Sequence, residues 1–303
     1  MSKIKIMCTS TGCIEYAPER YRNLGIEIIR IHVFFEGKEY REGLDLDPVE
    51  FYKRLETLED PKNNLPYTGM PETEEIRASF EKAIGEGCDE AIVFVLSSEL
   101  GGTYNKICLI AKEFDDRLKI NVIDTKITCF GEGLLAIKAA EFASKGMSSD
   151  DILKEIAWMM KRQYFIGVDG KLDYLIYNGR LKGGKAFFGQ LLNICPVLNF
   201  TPEGAISPLE SIKTPKKALM RTCELLKEKI GDRSPDDYLL WHIYTGPSLL
   251  ETLKNIEGNF GVATNHEDVI MSPVSGAHNG PWLAGYGLAF IRREDEPLED
   301  QNA

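Results

Sequence analysis

Apolar positions in the first half of the chain alternate between two spacings. Short apolar runs of strand length, such as residues 3–8 and EAIVFVL at 90–96, are separated by segments whose apolar residues fall three and four apart. In 72–86, for example, Ile76, Phe80, Ala83 and Ile84 share one helical face, and Pro71 stands where a first turn tolerates proline. The pattern predicts strands at 3–8, 26–34, 90–96 and 119–124, and helices at 18–24, 48–57, 72–86, 101–114 and 131–145. Such alternation implies a parallel sheet with right-handed crossovers. A helix over 149–162, begun by Ser148 and Asp151 and facing inward through Ile152, Ile156, Met159 and Met160, closes this half.

Beyond it the character changes. FIGVD, LDYLIYNGRL, LLNICPVLNF, AISPLESI and YLLWHIYT read as strands interrupted by proline and glycine, with helices at 214–229 and 247–258. The expected fold class is α/β in two domains: an N-terminal Rossmann-like parallel-sheet α/β/α domain over 1–162 and a C-terminal α+β domain with a mixed or antiparallel sheet over 163–293. Residues 294–303 form an acidic, apolar-poor tail.

One junction carries chemistry. The strand ending Val95-Leu96 meets Ser97 and Ser98, and Gly101-Gly102 then open a helix with Thr103 in its first turn. Unpaired amide N–H groups and the helix dipole favour negative charge there, and glycine permits close approach to the backbone. One of the two serines is free to cap the helix while the other binds.

Composition narrows the partners. Lys and Arg total 36 against 47 Asp and Glu, a net charge of -11, so nucleic acid and anionic membrane surfaces are not expected partners. No signal-peptide core and no run of 18 apolar residues occurs, which predicts a cytoplasmic protein without stable membrane insertion. The seven cysteines are scattered without a C-x-x-C pair and read as reduced core thiols. Cys8 and Cys13 with His32 lack a second ligand pair, and the four histidines form no H-x-x-x-H, so no metal site and no cofactor are expected.

The stretch Ser97-Ser98-Glu99-Leu100-Gly101-Gly102-Thr103-Tyr104 resembles the S-S-x-L-S-G-T-Y motif of the DegV family of bacterial fatty-acid-binding proteins. Further similarities follow in order: Tyr67-Thr68-Gly69-Met70-Pro71, INVIDT, LDYLIYNGRL, LLNICPVL and SPVSGAHNGP. The resemblance implies a fatty acid held between two domains, its carboxylate near Thr68, Ser97 or Ser98, Arg180 and His278, and its tail in an apolar tunnel of the second domain. It also implies a protein that is not itself an enzyme and presents the fatty acid to a separate fatty-acid kinase, which makes an acyl phosphate for phospholipid synthesis. Departures from the family pattern are Thr9-Ser10 for Asp-Ser, Gly69 and Gly101 for serines, and Cys195 for lysine.

The residue types suit that role. Hydroxyls, a planar guanidinium and an imidazole can converge on a carboxylate, each bond to an ionised partner contributing roughly 1.5–3 kcal/mol. Phe187, Phe188, Leu191, Leu192 and Ile194 are apolar enough to line a tunnel, though such a run also suits plain core. Two enzyme readings are weaker. Gly179 to Lys185 fits G-x-x-x-x-G-K, but Ala186 stands where the Mg²⁺-binding hydroxyl belongs. A Ser/His hydrolase needs a G-x-S-x-G elbow, which Phe94-Val95-Leu96-Ser97 does not supply. A lipid- or metabolite-sensing module remains a further reading that the residues do not separate from a carrier.

Overall fold

The computed structural model describes residues 2–181, 194–260, 266–293 and 296–298. In the first half the strands are β1 (Ile4–Thr9), β2 (Glu27–Ile29), β3 (His32–Phe35), β4 (Lys38–Arg41), β5 (Tyr67–Gly69), β6 (Glu90–Val95) and β7 (Lys119–Asp124). In the second they are β8 (Gln163–Asp169), β9 (Cys195–Phe200), β10 (Ile206–Ile212), β11 (Tyr238–Tyr244), β12 (His266–Ile270) and β13 (Leu283–Phe290). The first sheet is parallel with order β2-β1-β6-β7, and the second is mixed with order β10-β9-β8-β13-β11-β12. In the second, only β11 and β12 run parallel. The expected combination of a parallel N-terminal sheet with a mixed C-terminal sheet is therefore what the chain forms.

β6 is central and its Ala91–Val95 are fully buried, which is why this strand is continuously apolar rather than alternating. One face of the first sheet packs Met7, Val93 and Val95 against the helices Thr73–Gly85 and Thr103–Ala111. Ile6, Ile92 and Phe94 on the other face join a larger cluster around the helix Phe130–Ser144, which is buried on most of its sides. That cluster runs on into the second sheet, with the Phe130 ring set edge-on against Trp241 at 5.7 Å. Helices Pro215–Ile230 and Pro247–Phe260 cover the far face of the second sheet.

Three expectations need correction. The single strand over 26–34 is two strands: β2 stays in the parallel sheet, while β3 leaves it to pair with β4 and β5 in a separate antiparallel sheet. The break falls where the Arg30 guanidinium bonds Glu15 and the Glu42 carbonyl, and where Ile31 N–H donates to Ser10 Oγ. LDYLIYNGRL is a helix, Asp173–Tyr177, rather than a strand. Leu172, Tyr174, Leu175 and Ile176 are buried while Asp173 and Tyr177 are exposed, but a helix of five residues is too short for its period to show in the sequence. Proline at 71 precedes its helix, which starts at Thr73 behind a capping box of Glu72 and Glu75.

Candidate functional site

Segments from both halves of the chain meet at one cavity of about 100 Å³. β5 brings Thr68, the turn after β6 brings Leu100 to Thr103, the end of the Asp173–Tyr177 helix brings Arg180, and the helix Pro273–Asn279 brings His278.

Arg180 is placed by a helix ending. Asn178 caps the Asp173–Tyr177 helix, Gly179 takes a left-handed φ of +70°, Gly179 N–H donates to the Ile176 carbonyl, and Arg180 N–H donates to that of Leu175. This is a Schellman ending, whose reversal swings the next side chain off the helix axis. Asn178 Nδ2 also donates to the Ala277 carbonyl, tying this helix end to the one that carries His278. The Arg180 guanidinium donates from Nη1 to the Asn178 carbonyl at 2.6 Å, while its buried Nε has no partner among the described residues. Burial lowers its pKa, and no carboxylate among the described residues compensates its charge.

His278, expected in a turn, sits in the last turn of a helix begun by Ser272 and Pro273, with Ser272 Oγ accepting from Ser275 N–H. Its Nε2 lies 2.9 Å from Thr68 Oγ1. Burial, and next the Arg180 charge, push its pKa down to about 3, so the imidazole is neutral at physiological pH. Thr68, Arg180 and His278, far apart in the chain, thus share one cavity wall.

The serine pair does not join them. Ser97 is fully buried, its Oγ accepting from Glu99 N–H and covered by Gly204, where a β-carbon would overlap it. Ser98 turns to Asp124, whose Oδ1 accepts the Ser98 N–H; bonds from Lys126 and Ser98 hold that carboxyl below its ordinary range. Both hydroxyls serve the junction after β6, and neither lines the cavity. In their place the cavity is lined by Leu100, Gly101, Gly102 and the buried Thr103, the first residue of its helix. A β-carbon at Gly101 would meet only open space.

Sequence reasoning missed other polar lining groups. Thr128 Oγ1 is buried without a partner, and Thr11 and Ser275 also face the cavity. Thr11 Oγ1 donates to Glu132 Oε2 at 2.7 Å, and Thr9 Oγ1 bonds Oε1 of the same carboxyl. Gly133 lets this helix approach the Gly12 carbonyl so closely that a β-carbon would collide with it. Desolvation raises Glu132 to about 8, leaving it protonated at neutral pH despite those hydroxyls. No spacing signal marks these residues, because only the approach of two helices and a turn unites them.

Leu100 and Ile206 belong both to the cavity wall and to a separate apolar cluster with Leu172, Leu175, Ile176, Leu181 and Leu198. Phe165 and Phe200 pack on that cluster and also line a second cavity of about 670 Å³ between the edge of the mixed sheet and the Ser149–Met160 helix. Of the expected lining residues, Phe187, Phe188, Leu191 and Leu192 lie outside the described residues, as do Lys182 to Ala186 of the G-x-x-x-x-G-K stretch; Ile194 is half-buried. His32 bonds Glu39 and Glu75, whereas Cys8 bonds Glu132, so these two do not converge with Cys13 on a metal.

Fold and site together define an α/β protein with a parallel and a mixed sheet and a cavity lined by Thr68, Arg180 and His278. The chain belongs to the DegV family: the profile of that family, described as one of uncharacterised proteins, matches residues 3–290. A DegV domain-containing protein of Listeria innocua is 32% identical over 287 residues, covering 93% of this chain and 97% of its own. Among solved structures, a fatty acid binding DegV family protein from Streptococcus agalactiae superposes with a TM-score of 0.84 at 27% identity, over 95% of this chain and 99% of that one. DegV of Bacillus subtilis, described as a fatty acid binding protein, gives 0.82 at 31% identity, over 96% of this chain and all (100%) of that one.

Proposed function

We propose that this protein binds a long-chain fatty acid, has no catalysis of its own, and presents the acid to a separate fatty-acid kinase. The observation that carries the reading is Arg180: a half-buried cation with no acidic partner among the described residues, beside a neutral imidazole and a hydroxyl, at the edge of an apolar cluster. An uncompensated buried charge is costly, and a carboxylate in the cavity offsets it. With His278 donating from Nε2, the Thr68 hydroxyl accepts and turns its own proton toward that carboxylate. The solved relatives described as fatty acid binding proteins support the same ligand class.

Residues 1–162 then supply Thr68 and the glycine turn, and residues 163–293 supply Arg180, His278 and the tail tunnel. The tail leaves the carboxylate past Leu100 and Ile206 and runs toward Phe165 and Phe200 and the larger cavity. Each buried methylene contributes about 0.8 kcal/mol, so this apolar route dominates affinity. A carrier rather than a hydrolase fits the site, because an imidazole held at about 3 is a poor general base at neutral pH.

The test is direct. Protein purified without added lipid is denatured and its extract measured by mass spectrometry, with oleate and palmitate titrated into delipidated protein. One fatty acid per chain is expected, with acyl phosphate formed from ATP only when a fatty-acid kinase is added. Absence of any lipid together with no binding of either acid overturns the reading.

A further inference from the structure

On the helix-covered face of the mixed sheet, away from the cavity, three metal-ligating side chains meet. His242 lies on β11, His266 on the parallel neighbour β12, and Glu257 on the Pro247–Phe260 helix above them. Trp241 points to Phe130 and the first sheet, so strand alternation sends His242 to the opposite face, where its ring packs on Tyr286. His242 Nε2 stands 2.6 Å from Glu257 Oε1, His266 Nε2 stands 3.4 Å from the same oxygen, and one ligand atom from each residue falls within 4.8 Å of the others. The three side chains are 1%, 6% and 2% exposed for His242, Glu257 and His266.

We propose that His242, His266 and Glu257 bind a divalent transition-metal ion, with zinc the best match to two imidazoles and one carboxylate. With metal–ligand bonds of about 2.0–2.1 Å, tetrahedral corners stand about 3.3 Å apart; the His266–Glu257 separation matches that, while the His242–Glu257 contact is a hydrogen bond that must open by less than about 1 Å to admit the metal, with water in the fourth corner. The surroundings match a metal site's outer sphere. His242 Nδ1 meets Asp268 Oδ1 at 2.7 Å, the carboxylate contact that fixes a ligating histidine with Nε2 toward the metal. Lys254 in turn bonds Asp268 Oδ2 at 2.5 Å, holding that carboxylate. Asp268 and Lys254 are partly exposed at the sheet's edge, which leaves an entry path beside a buried ligand set. An imidazolium ion pair of His242 with Glu257 and Asp268 is the competing account, and it predicts no metal affinity. The proposal is independent of the fatty-acid reading.

Protein stripped with EDTA, dialysed against Zn²⁺ and assayed by elemental mass spectrometry is expected to retain one zinc per chain and to melt higher than the stripped form. Co²⁺ in place of Zn²⁺ should give the visible d–d bands of a four-coordinate site. His266→Gln and Glu257→Gln should lose the bound zinc and the cobalt bands, and Asp268→Asn should weaken binding roughly 10–100-fold. Fatty-acid content, measured on the same samples, should not change in any variant. No stoichiometric zinc in folded wild-type protein, or equal zinc retention in the His266→Gln and Glu257→Gln variants, overturns the site. Should Glu257→Gln fail to fold, His266→Gln and Asp268→Asn decide the matter alone.

Discussion

Arg180 has an environment that folding alone does not explain. Among the described residues its buried Nε has no partner, and Nη1 donates to the neighbouring Asn178 carbonyl. Arg180→Met keeps the apolar stem while removing the charge, so the unliganded protein should melt at the same temperature or higher. Oleate affinity should fall by about 10–100-fold, the equivalent of one charge-assisted hydrogen bond. Melting curves with and without oleate read both effects, and an unchanged oleate affinity would remove Arg180 from the site. At this scale the sequence singled out Thr68, Ser97, Ser98, Arg180 and His278 by motif resemblance; the fold brings Thr68, Arg180 and His278 to one cavity and leaves Ser97 and Ser98 outside its lining. A hydroxyl pair at a strand end looks the same whether it faces a ligand or, as here, Asp124 and the Glu99 amide.

Arg180 and His278 are placed by helix ends rather than helix faces. The Asp173–Tyr177 helix stops because Gly179 turns left-handed, and only that turn aims Arg180 at the cavity. A β-carbon at Gly179 meets no neighbour, so the effect of Gly179→Ala is purely backbone strain of about 1–2 kcal/mol. Thermal denaturation should show that loss, and oleate binding should weaken although no ligand contact has been removed; a variant as stable as wild type would show that the turn is not strained. Asn178-Gly179 was legible as a turn signal, but whether it closed a helix or joined strands was not, since an apolar stretch this short has no decisive period. Ser272-Pro273 carried a helix-start signature ahead of His278, and it is the local feature that sequence reasoning passed over.

Across the whole molecule, buried acids and one buried base give a definite pH dependence. Desolvation raises Glu42 to about 7, and Glu132 and Asp169 to about 8, from ordinary values of 4.5, 4.5 and 3.8. A carboxyl raised on folding contributes stability that is complete below its unfolded pKa and is lost as pH rises through the folded one. His278, lowered from 6.5 to about 3, acts oppositely, weakening the fold as pH falls below 6.5. Between about pH 6.5 and 8.5 only the carboxyls titrate among these four, so the melting temperature should drop across that window. Glu132→Gln should shrink the drop; a flat profile in wild type, or an identical drop in the variant, contradicts the assignment. No described helix is long and apolar enough to cross a membrane.

The sequence by itself determined most of the elements, the alternation that implies a parallel sheet followed by a mixed or antiparallel one, and the family resemblance that singles out Thr68, Arg180 and His278. These are local or motif-borne properties: apolar spacing reports which face is buried, and short motifs keep their residues adjacent in the chain. Tertiary structure alone decided which hydroxyls see the cavity, that Glu132 is buried beneath Thr9 and Thr11, and that His242, Glu257 and His266 meet. Those outcomes depend on how closely separate helices and strands approach, as where Gly133 meets Gly12, and such distances leave no periodic trace along the chain.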